Sequence, residues 1–270
     1  MVQLLQDVQQ WIRRLVAPRF ATMFGTARIY TQTNLGRPMR VLDLEGTMQS
    51  ATYLDEGWCD VPFDYLELYD LIFEANTKAR NLLMLGGGGY AYPKHVIAHH
   101  LDARIDVVEI DPAITVLARR YFMLDRLEEC FGALSSGRLA LVEADALDYV
   151  DECVQNGKRY DAILNDCFVA AEGVASLATP AALAAIQKAL VSSGIYLINV
   201  VTALEGEAAA PLMELVANLS RVFDYVGAIP CYRRPLDEPD NVMVFALQKH
   251  PHLDRAITLY YACDSLSSMS

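Results

Sequence analysis

NLLMLGGGGYAYP, residues 81–93, sets four glycines directly behind an apolar run of Leu82, Leu83, Met84 and Leu85. A short apolar run that stops at glycine is the pattern of a buried parallel strand feeding a tight turn. RIDVVEID follows at 104–111, a second such strand with acids at its end. The pair points to a nucleotide-type site at the carboxyl edge of an α/β sheet. Gly86, Gly88 and Ala91 also satisfy the GxGxxA spacing of a dinucleotide fingerprint. That spacing alone is a weak signal, because a plain turn uses glycine for the same freedom of backbone.

Outward from this turn the pattern alternates regularly. Strands are expected at 81–86, 104–110, 139–144, 160–165 and 194–201, and helices near 92–101, 112–122, 145–154, 180–191 and 207–221. Parallel strands need crossover helices, so this alternation implies a parallel sheet covered on both faces. Two further strands, near 225–233 and 241–248, are joined by the loop RPLDEPDN and imply an antiparallel edge. The expected fold is therefore α/β: a Rossmann-like class I methyltransferase fold, seven-stranded and mostly parallel with an antiparallel C-terminal edge strand. That ending does not suit a dinucleotide-binding sheet.

Upstream, residues 28–53 carry β-branched and apolar residues broken by NLG and EG, which predicts two or three short antiparallel strands with tight turns. One helix is expected after Pro62, through CDVPFDYLELYDLIFEA. Leu4, Leu5, Val8, Trp11, Ile12, Leu15 and Val16 follow helical spacing at the start of the chain. The expected organisation is an N-terminal helix and β-unit with a linking helix over 1–75, the sheet domain over 76–250 and a tail over 251–270.

Composition narrows the function classes. The chain has 270 residues, 53% of them hydrophobic, which is ample for one large core. A net charge of −12 argues against a nucleic-acid surface, which needs clustered Lys and Arg. No apolar run approaches the roughly 18 to 20 residues that span a bilayer, so no membrane partner is expected. The N-terminus lacks the basic lead and continuous apolar stretch of an export signal, and the six cysteines show no CxxC. Free thiols in a cytoplasmic protein are expected. His95 and His99 are spaced i, i+4, but no acidic third ligand completes a zinc motif, so no metal is expected and the three histidines of this helix read as an exposed face.

Three acids end three successive strands. Glu109 stands 23 residues after Gly86 and can accept both hydrogen bonds of a ribose diol. Asp145, in VEADALDY, can accept from an adenine amine or cap the following helix. This third acid favours S-adenosylmethionine (SAM) over NAD. Asn165 and Asp166 end YDAILND, where a carboxylate can orient a nucleophilic amine or take its proton, or serve only as a structural hydrogen-bond partner.

The chain resembles the spermidine synthase (polyamine aminopropyltransferase) family from about residue 28 to 249, through LDLEGTMQ, DEGW, YLE, GGGG, VVEID, EADALDY, YDAILND and GIYLINV in that order. The resemblance implies that Gly86, Gly87, Gly88, Glu109 and Asp145 hold the nucleoside of SAM or decarboxylated SAM. It implies that Gln49 lines the donor pocket and Tyr65 the acceptor side, that the substrate is a small molecule, and that the chain forms a homodimer. Asp166 is the expected catalytic residue.

Departures accompany the resemblance. Gly89 replaces the aspartate of the family's GGGDG loop, which contacts the donor's amine end, and Leu66 replaces a histidine. Val169 stands where the family has its catalytic base, and the loop RPLDEPDN lacks a tyrosine. Valine cannot accept a proton. The expected function is therefore a SAM-dependent, methyltransferase-like transfer to a small, cationic substrate. The alternatives are aminopropyl transfer from decarboxylated SAM and a catalytically silent nucleoside-binding homologue. Seven acids and no basic residue over 55–74 would attract a cation or form a solvated helix face. VAAEGVASLATP, whose small residues fall in 168–180, reads as a lid or an ordinary connection.

Overall fold

The computed structural model describes residues 14, 16–167, 176–231 and 234–248. The expected N-terminal helix, Val169, most of segment 168–180 and the C-terminal tail lie outside the described residues. The chain falls into two compact units, one drawn from Met1–Pro62 and Gly87–Glu143, the other from Phe63–Gly86 and Ala144–Ser270.

In the first unit a four-stranded antiparallel sheet runs β1 (Arg19–Thr22), β2 (Gly25–Asn34), β3 (Arg37–Leu44), β4 (Thr47–Tyr53). It is one strand larger than expected, because Arg19–Thr22 pairs with Gly25–Arg28. The hairpins turn on Leu35-Gly36 and Glu45-Gly46, all four with φ between +48° and +99°. Two-residue turns with positive φ at both positions match the twist of the flanking strands, which is why glycine recurs there.

Seven strands form the main sheet in the order β10 (Tyr225–Pro230), β11 (Asp240–Leu247), β9 (Leu190–Thr202), β8 (Tyr160–Asn165), β5 (Asn81–Leu85), β6 (Arg104–Glu109), β7 (Leu139–Glu143). Pairs β5–β8, β8–β9 and β6–β7 are parallel, while β11 is antiparallel to both β9 and β10. The last strand thus enters between β9 and β10. Apolar residues of β5 and β8 are buried along their length, as strands covered on both faces must be.

The linking helix is not continuous. It forms as α1 (Asp64–Glu67), a 3-10 turn at Leu68–Asp70, and α2 (Leu71–Ala75). The tightened turn carries Tyr69, whose hydroxyl donates to Asn165 O at 3.2 Å. The remaining helices are α3 (Ala91–His99), α4 (Pro112–Tyr121), α5 (Arg126–Phe131), α6 (Ala146–Asn156), α7 (Pro180–Ala189) and α8 (Ala210–Leu219). Of these, α5 has no counterpart in the periodicity, being too short to show one. On α3, His99 is exposed, but His95 is half-buried and stacks on Tyr92, so the histidines do not form one solvated face. Cys59, Cys130, Cys153, Cys167 and Cys231 are free thiols. Among the described residues no helix is long and apolar enough to cross a membrane.

The first unit buries a lysine. Lys94 is 1% exposed, and its Nζ donates to Thr52 Oγ1 at 2.5 Å and to Phe122 O at 2.9 Å. Burial pushes its ammonium down from the ordinary 10.5 to about 7. Between those values the unfolded chain holds the proton and the folded chain does not. The contribution of Lys94 to stability therefore rises with pH across that window, by up to about 1.4 kcal/mol per unit, and is lowest below pH 7. Lys94→Met is expected to flatten the rise. Urea midpoints of both proteins at pH 7 and pH 9 check this; a constant difference between them would contradict it.

Candidate active site

The glycine turn and Glu109 are built as one object. At the end of β6, Glu109 is 8% exposed. Its Oε2 accepts from the backbone N–H of Gly87 at 2.9 Å and of Gly88 at 3.2 Å. Its Oε1 accepts from Asp111 N at 2.9 Å. A carboxylate has about four acceptor sites, so this clamp leaves capacity for a hydroxyl. The acid expected to hold a ribose thus also shapes the turn.

The four glycines have different causes. Gly86 has φ +92°, and a Cβ there would lie 2.7 Å from Asp166 O and 2.9 Å from its carbonyl carbon. The end of β8 therefore requires glycine at this position. At Gly87 a Cβ would meet the ring of Tyr90 at 2.8 Å. Tyr90 itself is fully buried, holds φ at 55°, and hydrogen-bonds Thr115 Oγ1 at 2.9 Å. A non-glycine residue in the left-handed region is uncommon and strained, and here ring burial holds it. At Gly89 a Cβ would meet Ser50 Oγ at 2.7 Å and Phe122 Cδ1 at 3.0 Å. Only Gly88, at φ +49°, has ordinary room: its nearest neighbours are Ser50 Cβ and Oγ at 3.5 and 3.6 Å. Three glycines answer to the protein's own packing, and Gly88 is the one whose bare surface packing does not explain.

In the second unit, Asp166 follows β8. Its Oδ1 accepts from Asn199 Nδ2 at 3.0 Å and its Oδ2 from the hydroxyl of Tyr65 at 3.3 Å. Its backbone N–H donates to Leu85 O at 2.9 Å, which ties β8 to the residue before the glycines. Burial raises the carboxyl above its ordinary value, and the bonds from Asn199, Tyr65 and Tyr69 offset part of that. Tyr65 is held well above the ordinary phenol value by burial and then by the nearby Asp166 charge. Tyr65 and Asp166, assigned separately from the sequence, are thus in contact. Beneath them, Asn165 donates to Tyr196 Oη at 2.9 Å and accepts from Cys167 N at 3.1 Å.

Other expected site residues are placed less decisively. Asp145 is exposed and caps α6, its Oδ1 accepting from Leu147 N at 2.8 Å and Asp148 N at 3.2 Å. Gln49 is half-buried on β4, beside the buried Ser50 that backs Gly88 and Gly89. Of the seven acids over 55–74, Asp55 and Asp60 are both paired with Arg37, at 2.7 and 2.9 Å. The single guanidinium offsets one of these two charges, so the pair contributes less than its full charge to a field. Sequence reading passed over Ser50, Tyr90 and Asn199. Asn199 alone left a signal: it is a polar residue inside the apolar strand GIYLINV.

The family profile described as "Spermine/spermidine synthase domain" matches residues 67–250, more than half of the chain. The chain belongs to this family. Among curated members, it is 34% identical over 135 residues to "Polyamine aminopropyltransferase 2" of Hyperthermus butylicus, covering 50% of this chain and 40% of that protein. It is 29% identical over 196 residues to "Polyamine aminopropyltransferase" of Klebsiella pneumoniae, covering 72% and 64%. The chain thus spans less than two thirds of either relative.

Solved structures of the same fold include a probable spermidine synthase from Corynebacterium glutamicum, with TM-score 0.70, 16% identity, and 87% and 81% of the two chains covered. Spermidine synthase in complex with the transition-state analogue AdoDATO has TM-score 0.62 at 18% identity, covering 86% and 72%. Human methyltransferase-like protein 13 in complex with SAH has TM-score 0.58 at 21% identity, covering 73% and 86%. At these identities the likeness establishes the Rossmann-like fold expected from the strand alternation.

Proposed function

We propose that this spermidine synthase family member is a SAM-dependent transferase that acts on a small amine. The observation that carries the reading is the Glu109 clamp on Gly87 and Gly88. A buried carboxylate is thereby held beside a bare glycine before any ligand arrives, and such preorganisation is what nucleoside recognition needs. In this reading Gly87 and Gly88 shape the turn and Glu109 takes the ribose, while Gln49, Gly86 and Asp145 are assigned to the donor from the family resemblance.

The donor supplies an electrophilic carbon on a sulfonium. What the protein must add is orientation, exclusion of water and a destination for a proton. Val169 cannot take one. Asp166 can, as a carboxylate whose hold on a proton is strengthened by burial. Tyr65 and Asn199 fix its orientation.

Gly89 bears on which donor is used. Ser50 and Phe122 close the space an acidic side chain would need there. A donor tail bearing only an ammonium then lacks its partner, whereas the zwitterionic tail of SAM does not depend on it. Calorimetric titration with SAM, decarboxylated SAM, methylthioadenosine and NAD tests the reading: SAM is expected to bind tightest, and binding of NAD alone would overturn it. Gly89→Asp combined with Ser50→Gly, which clears the nearest obstruction, is expected to shift preference toward decarboxylated SAM by about tenfold, the worth of one charged hydrogen bond. The second reading, aminopropyl transfer, is favoured by the names of the curated relatives. Methylthioadenosine released from decarboxylated SAM plus putrescine would establish it.

A further inference from the structure

Asn199 is 7% exposed on β9, one step beyond Ile198, which is paired in register with Asn165. Its amide nitrogen is spent on Asp166 Oδ1. Its carbonyl Oδ1 is buried and has no hydrogen-bond partner among the described residues. A buried acceptor without a donor is costly, by about 1–3 kcal/mol, and such groups cluster where a ligand completes them. The alternative amide orientation would turn the carbonyl toward an ionised carboxylate, so the Asp166 contact itself fixes which end is free.

The neighbourhood has one polarity. Asp166 accepts from Asn199 and Tyr65, with the Tyr69 hydroxyl as a third donor, and all three partners are neutral. No cation pairs with Asp166 among the described residues. The Tyr65 proton is committed to Asp166, and the Tyr69 hydroxyl faces both Asn165 O and Asp166. Among the described residues, what remains open is a carboxylate with no cation beside an orphan amide oxygen, with the nearby donors already used. Among the described residues, an anion or a carbonyl would find no donor there.

We propose that Asn199 Oδ1 is a positioning and specificity residue that accepts an N–H of a primary ammonium held on Asp166. This rests on the reading of the acceptor as an amine. It adds that recognition counts N–H bonds as well as charge, so a nitrogen stripped of its hydrogens is discriminated against even at equal charge. The carbonyl would also aim the nitrogen while the ammonium transfers its proton to Asp166.

The test is calorimetry on the full chain with 1,4-diaminobutane and with its bis-trimethylammonium analogue, which carries the same charge and no N–H. Saturating S-adenosylhomocysteine is present throughout. Wild type is expected to prefer the primary diamine by about tenfold or more. Asn199→Leu and Asn199→Ala are expected to bring that ratio close to one while leaving affinity for S-adenosylhomocysteine within about twofold. A merely structural role would weaken both amines alike and keep the ratio. An unchanged ratio in a variant that binds the nucleoside normally overturns the assignment to Asn199, with the amine reading left standing if Asp166→Asn abolishes diamine binding. Wild type that binds neither amine overturns both. Should both variants misfold, Asn199→Ser, which keeps a short acceptor, carries the measurement, and it is expected to retain part of the preference.

Discussion

Glu109→Ala should abolish donor binding and cost the fold several kcal/mol at once. The carboxylate satisfies three backbone donors, those of Gly87, Gly88 and Asp111. The buried N–H groups of Gly87 and Asp111 each cost about 1–3 kcal/mol when left without an acceptor, so a loss of about 2–6 kcal/mol is expected. Donor affinity should fall by at least about 100-fold, because the ribose partner and the shape of the turn go together. Glu109→Gln keeps one acceptor oxygen but places an NH2 where a carboxylate oxygen stood, so an intermediate loss is expected. Thermal unfolding and calorimetric titration with SAM are the measurements. Retained affinity in a folded Glu109→Ala protein would remove the donor site from this position.

Gly86→Ala and Gly88→Ala should fail in different ways, although they are two residues apart. At Gly86 the new methyl meets the Asp166 backbone at 2.7 Å, and φ is +92°. Backbone cannot rotate away as a side chain can. Left-handed strain of about 1–2 kcal/mol adds to overpacking of about 1–3 kcal/mol, for a total near 3 kcal/mol or more. The displaced end of β8 carries Asp166, so acceptor binding is lost as well. At Gly88 the methyl meets only Ser50 at 3.5 Å, and the cost is the φ term alone, about 1 kcal/mol. That protein should fold normally and lose donor affinity, because the new Cβ covers the one surface that packing does not claim. Urea denaturation separates the two; equal stabilities would show that Gly86 tolerates a side chain.

Much of this was legible without coordinates. Strand order apart, the main sheet follows from a local signal: apolar runs at 81–85, 104–109 and 160–165 that end in Gly or acids, with helical periods between them. The turns at Leu35-Gly36 and Glu45-Gly46 are equally local, since positive φ selects glycine at the second position. Short elements escaped. Arg19–Thr22 is too brief to show alternation, and α5 too brief to show a helical period.

The sequence by itself determined that this chain builds a mostly parallel sheet, and which acids stand at its carboxyl edge, because periodicity and strand-end chemistry are written in neighbouring residues. Only the tertiary structure decided why each glycine is there. Gly86 answers to Asp166, 80 positions on, and Gly89 to Ser50 and Phe122, which no window around the turn contains. Likewise Asp55 and Asp60 read as a field until Arg37 is seen to hold them. Asn199 reads as a polar flaw in an apolar strand until β8 brings Asp166 against its amide and leaves its carbonyl alone. Packing at long range sets these meanings, and a hydrogen bond has no period.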